Sequence, residues 1–315
     1  MSEGDDSFSD EKHSPPISNT KLTSTILDSI KIFFRNKRIF LFIFFFLTLP
    51  LSLLLFSLSF SSRPLKAQIY HLEAIAALTR TRFEARHVWQ ESRAEALSLL
   101  RLKSLFFLPS FLLSLLSCLA AVTSTSLSYN RRRPSLISSF SAAKTAWKRV
   151  SVTAIFVYGL LLLYAPVPIF IAAPFSSEPR LKLAVLVAAS VFEIYLMGVM
   201  GLALVVSVVE ERFGWEAIRA GSEVMEGRRV AGWALSASFI AVSGFVDYKL
   251  EELMEDLDLS TLSWWTVVIE RWDAVALVLL YGIEVLWCYV VTTVFYCGCK
   301  KRQVIKGEDA SFVTV

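Results

Sequence analysis

The chain has few of the residues from which enzymes and metalloproteins build their sites. Its 315 residues include four cysteines and three histidines. A Gly-x-Ser-x-Gly turn, a glycine-rich phosphate loop and a Cys-x-x-Cys pair are all absent from the sequence. His87 follows Glu84 at a spacing that metal ligands use, but no second copy of the pair accompanies it. We therefore expect no catalytic site, no bound metal and no cofactor.

The four cysteines also leave no basis for a disulfide framework. Cys118 and Cys288 lie inside apolar runs. Cys297 and Cys299 stand at the end of the last apolar run, immediately before basic residues, which is a setting in which cysteines are S-palmitoylated. The alternative is that they are two small residues at the end of a helix.

Apolar residues, by contrast, are abundant and make up 55% of the chain. They form runs with little or no charge at 39–62, 104–130, 150–177, 183–209, 230–246 and 274–299. Crossing the hydrocarbon takes roughly 20 helical residues. The pattern predicts an all-α, polytopic helical bundle of about six spans, with the crossing of the short run 230–246 left open.

The distribution of charge predicts how the bundle is oriented. Lysine and arginine concentrate before the first run, between runs two and three, between runs four and five, and after the sixth, and cytoplasmic loops retain such residues. We expect a disordered cytoplasmic tail at 1–25 without a cleaved signal peptide, a membrane domain at 26–300 and a second cytoplasmic tail at 301–315. The segment 63–103 does not fit this rule, because it is rich in basic residues but is predicted to lie on the non-cytoplasmic side. The sequence does not distinguish an endomembrane from the plasma membrane.

Three short basic stretches each precede an odd-numbered run. These entry motifs are Asn36-Lys37-Arg38-Ile39, Trp147-Lys148-Arg149-Val150 and Gly227-Arg228-Arg229-Val230. An amphipathic stretch precedes each motif, so the pattern predicts a threefold repeat of an interfacial helix followed by two spans. The alternative is that every cytoplasmic helix end attracts basic pairs.

Local features predict two departures from simple spans. The segment 65–108 contains neither glycine nor proline, which predicts one long helix leading into the second span. Pro166, Pro168 and Pro174 predict a break near the outer end of the third span, because each proline removes a backbone donor.

Parts of the chain resemble a known group of membrane proteins. The residues concerned are Leu47-Thr48-Leu49-Pro50-Leu51-Ser52, Trp147-Lys148-Arg149, and the stretch that begins Val208-Val209-Glu210-Glu211 and continues through Gly214 to Gly227-Arg228. They resemble a plant family of uncharacterised six-span transmembrane proteins. More distantly, the last stretch is similar to the membrane domain found with bacterial glycerophosphodiester phosphodiesterases. The resemblance implies a topology but no reaction, because the phosphodiesterase activity belongs to a separate soluble domain.

Basic residues at the predicted cytoplasmic ends are candidate contacts for lipid headgroups. They are Lys37, Arg38, Arg131, Arg132, Arg133, Lys144, Lys148, Arg149, Arg228 and Arg229. Their place between spans makes anionic lipid a better partner than nucleic acid. Topological retention alone explains the same residues equally well.

Glu193 and Glu284 are the strongest candidates for chemistry within the membrane. Each lies near the middle of its predicted span, where an ionised carboxylate costs about 2.5–3.5 kcal/mol. The pair is therefore expected to be protonated, to share a proton, or to hydrogen-bond to a neighbouring side chain. One hypothesis is a proton or cation relay, and the other is a polar clasp between spans four and six.

Two functions follow from these features. The first is a non-enzymatic membrane-organising, scaffold or accessory factor that contacts anionic lipid. The second is a small proton-linked or cation-linked transporter that uses Glu193 and Glu284. A midplane cavity containing both carboxyl groups would favour transport, whereas a closed bundle with an extensive cytoplasmic helical face would favour the scaffold.

Overall fold

The protein is helical throughout the part of the chain that the structure describes. The computed structural model describes residues 19–78, 82–131, 136–175, 178–226, 228–255 and 271–313. No strand occurs within those ranges. The predicted all-α fold class is confirmed.

The described residues form ten α-helices. They are α1 (Asn19–Arg35), α2 (Lys37–Ile43), α3 (Leu49–Leu78), α4 (Arg82–Tyr129), α5 (Leu136–Tyr164), α6 (Val167–Ala172), α7 (Pro179–Val209), α8 (Trp215–Glu226), α9 (Arg229–Glu255) and α10 (Trp272–Val313). A π-helical turn at Phe44–Thr48 joins α2 to α3, and a short 3₁₀ turn at Ala173–Phe175 follows α6.

Within the described ranges, six helical segments are long and apolar enough to cross a membrane. They are Lys37–Ala76, Arg86–Tyr129, Lys144–Phe175, Pro179–Val209, Arg229–Met254 and Trp272–Gln303. The fifth has 26 residues, more than the roughly 20 required, because α9 continues beyond the apolar run 230–246. Six candidate spans therefore agree with the number predicted from the sequence.

Because the number of spans is even, the start of the first span and the end of the sixth lie on the same side of the membrane. We call this the terminal side; it carries α1, α8 and the end of α10. The opposite side, which carries the connection from α3 to α4, is the hairpin side. Helix α1 begins at Asn19 and α10 continues to Val313, so regular helix extends into both of the predicted tails.

The long helix predicted across 65–108 is wrong. Helix α3 passes Pro64 and ends at Leu78, and α4 begins at Arg82, so the chain reverses and the two helices pack as an antiparallel hairpin. No glycine or proline marks this reversal in the sequence. The 48 residues of α4 span roughly 70 Å, about twice the thickness of the hydrocarbon. The hairpin therefore projects beyond the hydrocarbon on the hairpin side.

The predicted break in the third span is confirmed. Helix α5 ends at Tyr164 and the chain continues through α6 and the 3₁₀ turn. Pro166 stands at the start of α6. Backbone N–H groups at a helix start have no partner within the helix, so a proline there costs no hydrogen bond.

The three entry motifs have different local structures. Asn36 separates α1 from α2, and its side-chain amide donates a 2.5 Å hydrogen bond to Ser128 Oγ of α4. The second motif lies within the uninterrupted helix α5. Gly227 of the third motif lies outside the described residues, between α8 and α9. The threefold repeat stays a prediction.

Helix α8 folds back against α7 and packs closely on it. Ile218 and Met225, which the sequence places on the apolar face of an interfacial helix, are buried here, whereas Trp215 is 64% exposed. A Cβ atom on Gly221 would lie 3.0 Å from the backbone nitrogen of Ala203 and from the backbone oxygen of Val199. Glycine thus permits the backbones of α7 and α8 to approach closely.

Substitution of Gly221 tests this close approach. Gly221→Val is expected to lower the free energy of unfolding by about 1–3 kcal/mol, because the added carbons meet backbone atoms that cannot move independently of α7. Thermal unfolding in detergent measures the change. The matched control is Gly244→Ala in α9, where an added Cβ has nothing within 4 Å. Equal stability of Gly221→Val and wild type would contradict the packing.

Candidate functional site

A half-open cavity of about 310 Å³ lies among α5, α7, α9 and α10. Most of its wall is apolar, with polar groups contributed mainly by α9 and α10. Among the described residues that line it, Glu284 alone carries a carboxyl group. Met225 of α8 and Phe295 of α10 bound the cavity toward the terminal side, and both are almost fully buried.

Glu284 is turned into the protein and is only 8% exposed. Its Oε1 atom accepts a 2.5 Å hydrogen bond from Ser243 Oγ of α9. Its Oε2 atom is buried and has no hydrogen-bond partner among the described residues. An unsatisfied buried polar atom costs about 1–3 kcal/mol. The position is therefore costly for a purely structural carboxyl group and suited to one that exchanges a proton or holds a ligand.

Glu193 is not part of this cavity. It lies on the exposed face of α7, although Met197 and Gly198, one turn later on the same helix, line the cavity wall. Similar depth in two spans does not place two side chains on facing surfaces, because facing also depends on the rotation of each helix. The structure does not bring Glu193 and Glu284 into one cavity, and the hydrogen bond of Glu284 reaches span five instead of span four.

Two further spaces lie between the cavity and the hairpin side. The first, of about 210 Å³, shares Tyr281 with the main cavity. The second, of about 450 Å³, shares Asp247 with the first and is also lined by Arg63, Lys66 and Glu251. Ionisable and hydroxyl side chains thus extend in order from the hairpin side to Glu284.

Sequence reasoning named Tyr281 as a possible hydrogen-bond partner of the two glutamates but missed Asp247 and Ser243. Asp247 directly follows the apolar run 230–246, and the extension of α9 places it one turn beyond Ser243. The spacing of Ser243 and Asp247 by four residues is a signal that the sequence does contain, since such residues share a helix face.

On the terminal side, a carboxylate joins the ends of two spans. The Tyr296 hydroxyl and the Lys300 ammonium both donate to Oε1 of Glu210, which follows α7 directly. Arg212 Nε lies 3.5 Å from its Oε2. Burial acts to raise the pKa of Glu210, but the hydrogen bonds from Lys300 and Tyr296 outweigh it and lower that pKa below its ordinary value of 4.5. The carboxylate therefore stays charged and links α7 to α10.

A second polar space, which we call the terminal pocket, lies beside the helix ends on the same side. It has a volume of about 280 Å³. Its basic lining residues are Arg228, Lys301 and Arg302, and its acidic one is Asp28. The pocket thus combines positive charge with hydroxyl groups from α1 and α4.

The predicted lipid-contacting residues that the structure describes lie on the terminal side: Lys144, Lys148 and Arg149 within α5, and the others at or beside helix ends. Those with exposed side chains are Lys37, Arg38, Arg131, Lys144, Lys148 and Arg229. Arg149 and Arg228 are partly buried, and Arg149 lies 3.8 Å from Glu211. Arg132 and Arg133 lie outside the described residues.

The two cysteines proposed for palmitoylation differ in exposure. Cys299 is 5% exposed, and Cys297 is partly buried against the apolar cluster that includes Ile218 and Met225. Acylation of Cys299 would require the end of α10 to move away from its neighbours. Palmitoylation stays a prediction.

The fold and these cavities define a multi-pass helical membrane protein with polar groups buried along its axis. The chain belongs to the family described as Domain of unknown function (DUF8558), which it matches over residues 17–306. No curated protein and no solved structure matches the chain. A plant origin and a link to the membrane domain of phosphodiesterases stay predictions.

Removal of one donor tests the role of Glu210. Tyr296→Phe is expected to lower the free energy of unfolding at neutral pH by about 1–2 kcal/mol. Because the folded-state pKa of Glu210 is lowered, its stabilisation is complete above the ordinary value of 4.5 and is lost as the pH falls through the lowered pKa. The difference from wild type should therefore shrink in acid.

Thermal unfolding in detergent across a range of pH provides the measurement. Tyr164→Phe is the matched control, because the Tyr164 hydroxyl donates to the backbone oxygen of Ala189, which does not titrate. Its cost should not change with pH. A constant difference between Tyr296→Phe and wild type down to strong acid would contradict the assignment.

Proposed function

We propose that the protein is a small proton-linked transporter in which Glu284 binds the proton inside the membrane. One observation carries the proposal: a carboxyl group that is 8% exposed, with one oxygen unpartnered among the described residues, lines a cavity between the helices. Intramembrane ionisable residues are costly, and they commonly mark proton or ion pathways.

The arrangement around Glu284 supports a route from one side. Asp247 lines the hairpin-side space, where Arg63 and Lys66 are also found. Tyr281 separates the middle space from the main cavity and can relay a proton through its hydroxyl group. Ser243 can donate to the carboxylate, as it does to Oε1, or accept from the protonated acid. Proton transfer thus proceeds from Asp247 to Glu284 without Glu193.

The other end of the route is closed in this conformation. Met225 and Phe295 are 1% and 2% exposed and stand between the cavity and the terminal side. A transporter opens to one side at a time, so a cavity with a closed terminal end corresponds to one of its two states. With both ends of the chain on the cytoplasmic side, as the basic residues favour, the open route would face away from the cytoplasm.

Proton movement into proteoliposomes tests this function. Under an imposed membrane potential, a pH-sensitive dye enclosed in the vesicles should report uptake by wild type. Glu284→Gln should reduce the rate at least tenfold, because an amide cannot exchange the proton. Asp247→Asn should slow uptake to a smaller extent, because water can still reach the space of about 210 Å³ beside Tyr281.

The matched control is Glu193→Gln, which removes a carboxyl group at similar depth but outside the cavity. The proposal expects uptake at the wild-type rate, whereas the relay predicted from the sequence expects a loss. Unchanged uptake by Glu284→Gln, with normal folding in detergent, would contradict the proposed function.

A membrane-organising or accessory role in contact with anionic lipid is the second candidate. Its support is the set of exposed basic side chains on the terminal side, together with the long helical extension of α10. Each basic residue near an anionic surface contributes about 1 kcal/mol.

Lipid enrichment around the protein tests the second candidate. In nanodiscs of mixed lipid, phosphatidylserine should be enriched over phosphatidylcholine at low salt and less so at high salt. Replacing Lys37, Arg38, Lys144 and Lys148 together by glutamine should weaken that preference strongly. Enrichment that neither salt nor the fourfold variant reduces would contradict an electrostatic contact.

A further inference from the structure

The terminal pocket draws together residues from four separate parts of the chain. Helix α1 contributes Asp28 with two hydroxyl residues, the end of α4 contributes Tyr129, and Arg228 stands just before α9. Helix α10 contributes Lys301 and Arg302 from its last turns in the bundle. The pocket therefore depends on the folded bundle and is not a property of one basic stretch.

The charges of the pocket favour an anion. Its lining has three basic side chains and one carboxylate, and Ser24, Thr25 and Tyr129 add hydroxyl groups. The guanidinium of Arg228 lies 5.6 Å from the centroid of the Phe295 ring, and its side chain is only partly exposed. This packing limits the rotation of Arg228 and presents a planar group that suits two oxygens of one anion.

The end of α10 leaves space beside that guanidinium. Gly298 also lines the pocket, and a Cβ atom at this position would lie 3.9 Å from the nearer terminal nitrogen of Arg228. A Cβ atom here would therefore make an ordinary contact with the guanidinium of Arg228. Lys301 follows three residues later on the same helix, so its ammonium group reaches the same space.

We infer that the terminal pocket binds a phosphate monoester. A monoester dianion offers three oxygens, which suits an arginine fork, two further cations and several hydroxyl donors better than a singly charged phosphodiester does. The helix ends that form the pocket lie at the level of lipid headgroups, so the group belongs either to a lipid or to a soluble phosphate compound. The inference rests on the second candidate function, a role in contact with anionic lipid, and specifies the chemical group that is bound and the residues that bind it.

Binding to the full-length protein in nanodiscs tests the inference. One arm compares phosphatidic acid, a monoester lipid, with phosphatidylserine, a diester lipid, each diluted in phosphatidylcholine. Phosphatidic acid is expected to bind at least tenfold more tightly. The second arm adds inorganic phosphate or glycerol 3-phosphate in the aqueous phase. If these compounds bind at micromolar concentration and displace phosphatidic acid, the physiological ligand is soluble; if they do not, it is the lipid.

Substitutions in the pocket test which residues produce the preference for phosphatidic acid over phosphatidylserine. Arg228→Gln should reduce the preference for phosphatidic acid to about equal binding of the two lipids, and Arg228→Lys should retain part of it. Because Arg228 packs on Phe295, its variants are checked by thermal unfolding. The double variant Lys301→Gln with Arg302→Gln changes exposed side chains only and should also lower the preference. Arg219→Gln is the matched control, an exposed arginine of α8 that does not line the pocket.

The outcomes separate this inference from the function on which it rests. If neither anionic lipid is enriched over phosphatidylcholine, the second candidate function fails and the pocket with it. If both are enriched equally in wild type, anionic contact stands and the monoester pocket is overturned. A preference for phosphatidic acid that survives in the folded double variant overturns the assigned residues.

Discussion

Hydrocarbon offers no hydrogen-bond partner, and this constraint determines most of the structure. The backbone is helical across the candidate spans that the structure describes, apart from the turn after Tyr164 in the third. Hydroxyl side chains inside the spans donate to carbonyls of their own helix, as Thr125 does to Ala121 at 2.7 Å and Thr293 to Tyr289 at 2.6 Å. Glu284 differs from these hydroxyl groups because its Oε1 accepts a hydrogen bond from another helix. Among the described residues its Oε2 has no partner, which is also true of the buried Ser110 and Ser117 hydroxyl groups.

Glu284 lies at one end of a series of spaces that are lined by ionisable and hydroxyl side chains. The spaces beside Asp247, Tyr281 and Glu284 follow one another from the hairpin side and stop at Phe295. Beyond Phe295 the ring packs against Arg228, which lines the terminal pocket. A ligand that moves Arg228 would therefore act on the residue that closes the cavity. The two proposed sites meet at this one contact, so anion binding at the terminal side has a direct physical route to the cavity beside Glu284.

The sequence predicts the features that depend on local composition. Span number follows from the length of apolar runs, and the break after Tyr164 follows from three prolines. Features that depend on rotation and packing could not be predicted. Glu193 and Glu284 have similar depth, but only the second faces inward. The reversal between α3 and α4 occurs without a glycine or proline, because contacts between the two helices along their length stabilise the hairpin. The terminal pocket likewise joins residues that are far apart in the chain.

Access of water to the cavity from the hairpin side is the most direct test of the proposed transport route. In a chain whose four native cysteines are replaced, a single Ser243→Cys should react with a membrane-impermeant thiol reagent added on the hairpin side. It should react much more slowly from the terminal side, where Met225 and Phe295 close the cavity. Val242→Cys, on the neighbouring exposed face of α9, is the control for lipid-facing positions and should react from neither side. A Ser243→Cys protein that is folded but unreactive from the hairpin side would contradict the route to Glu284.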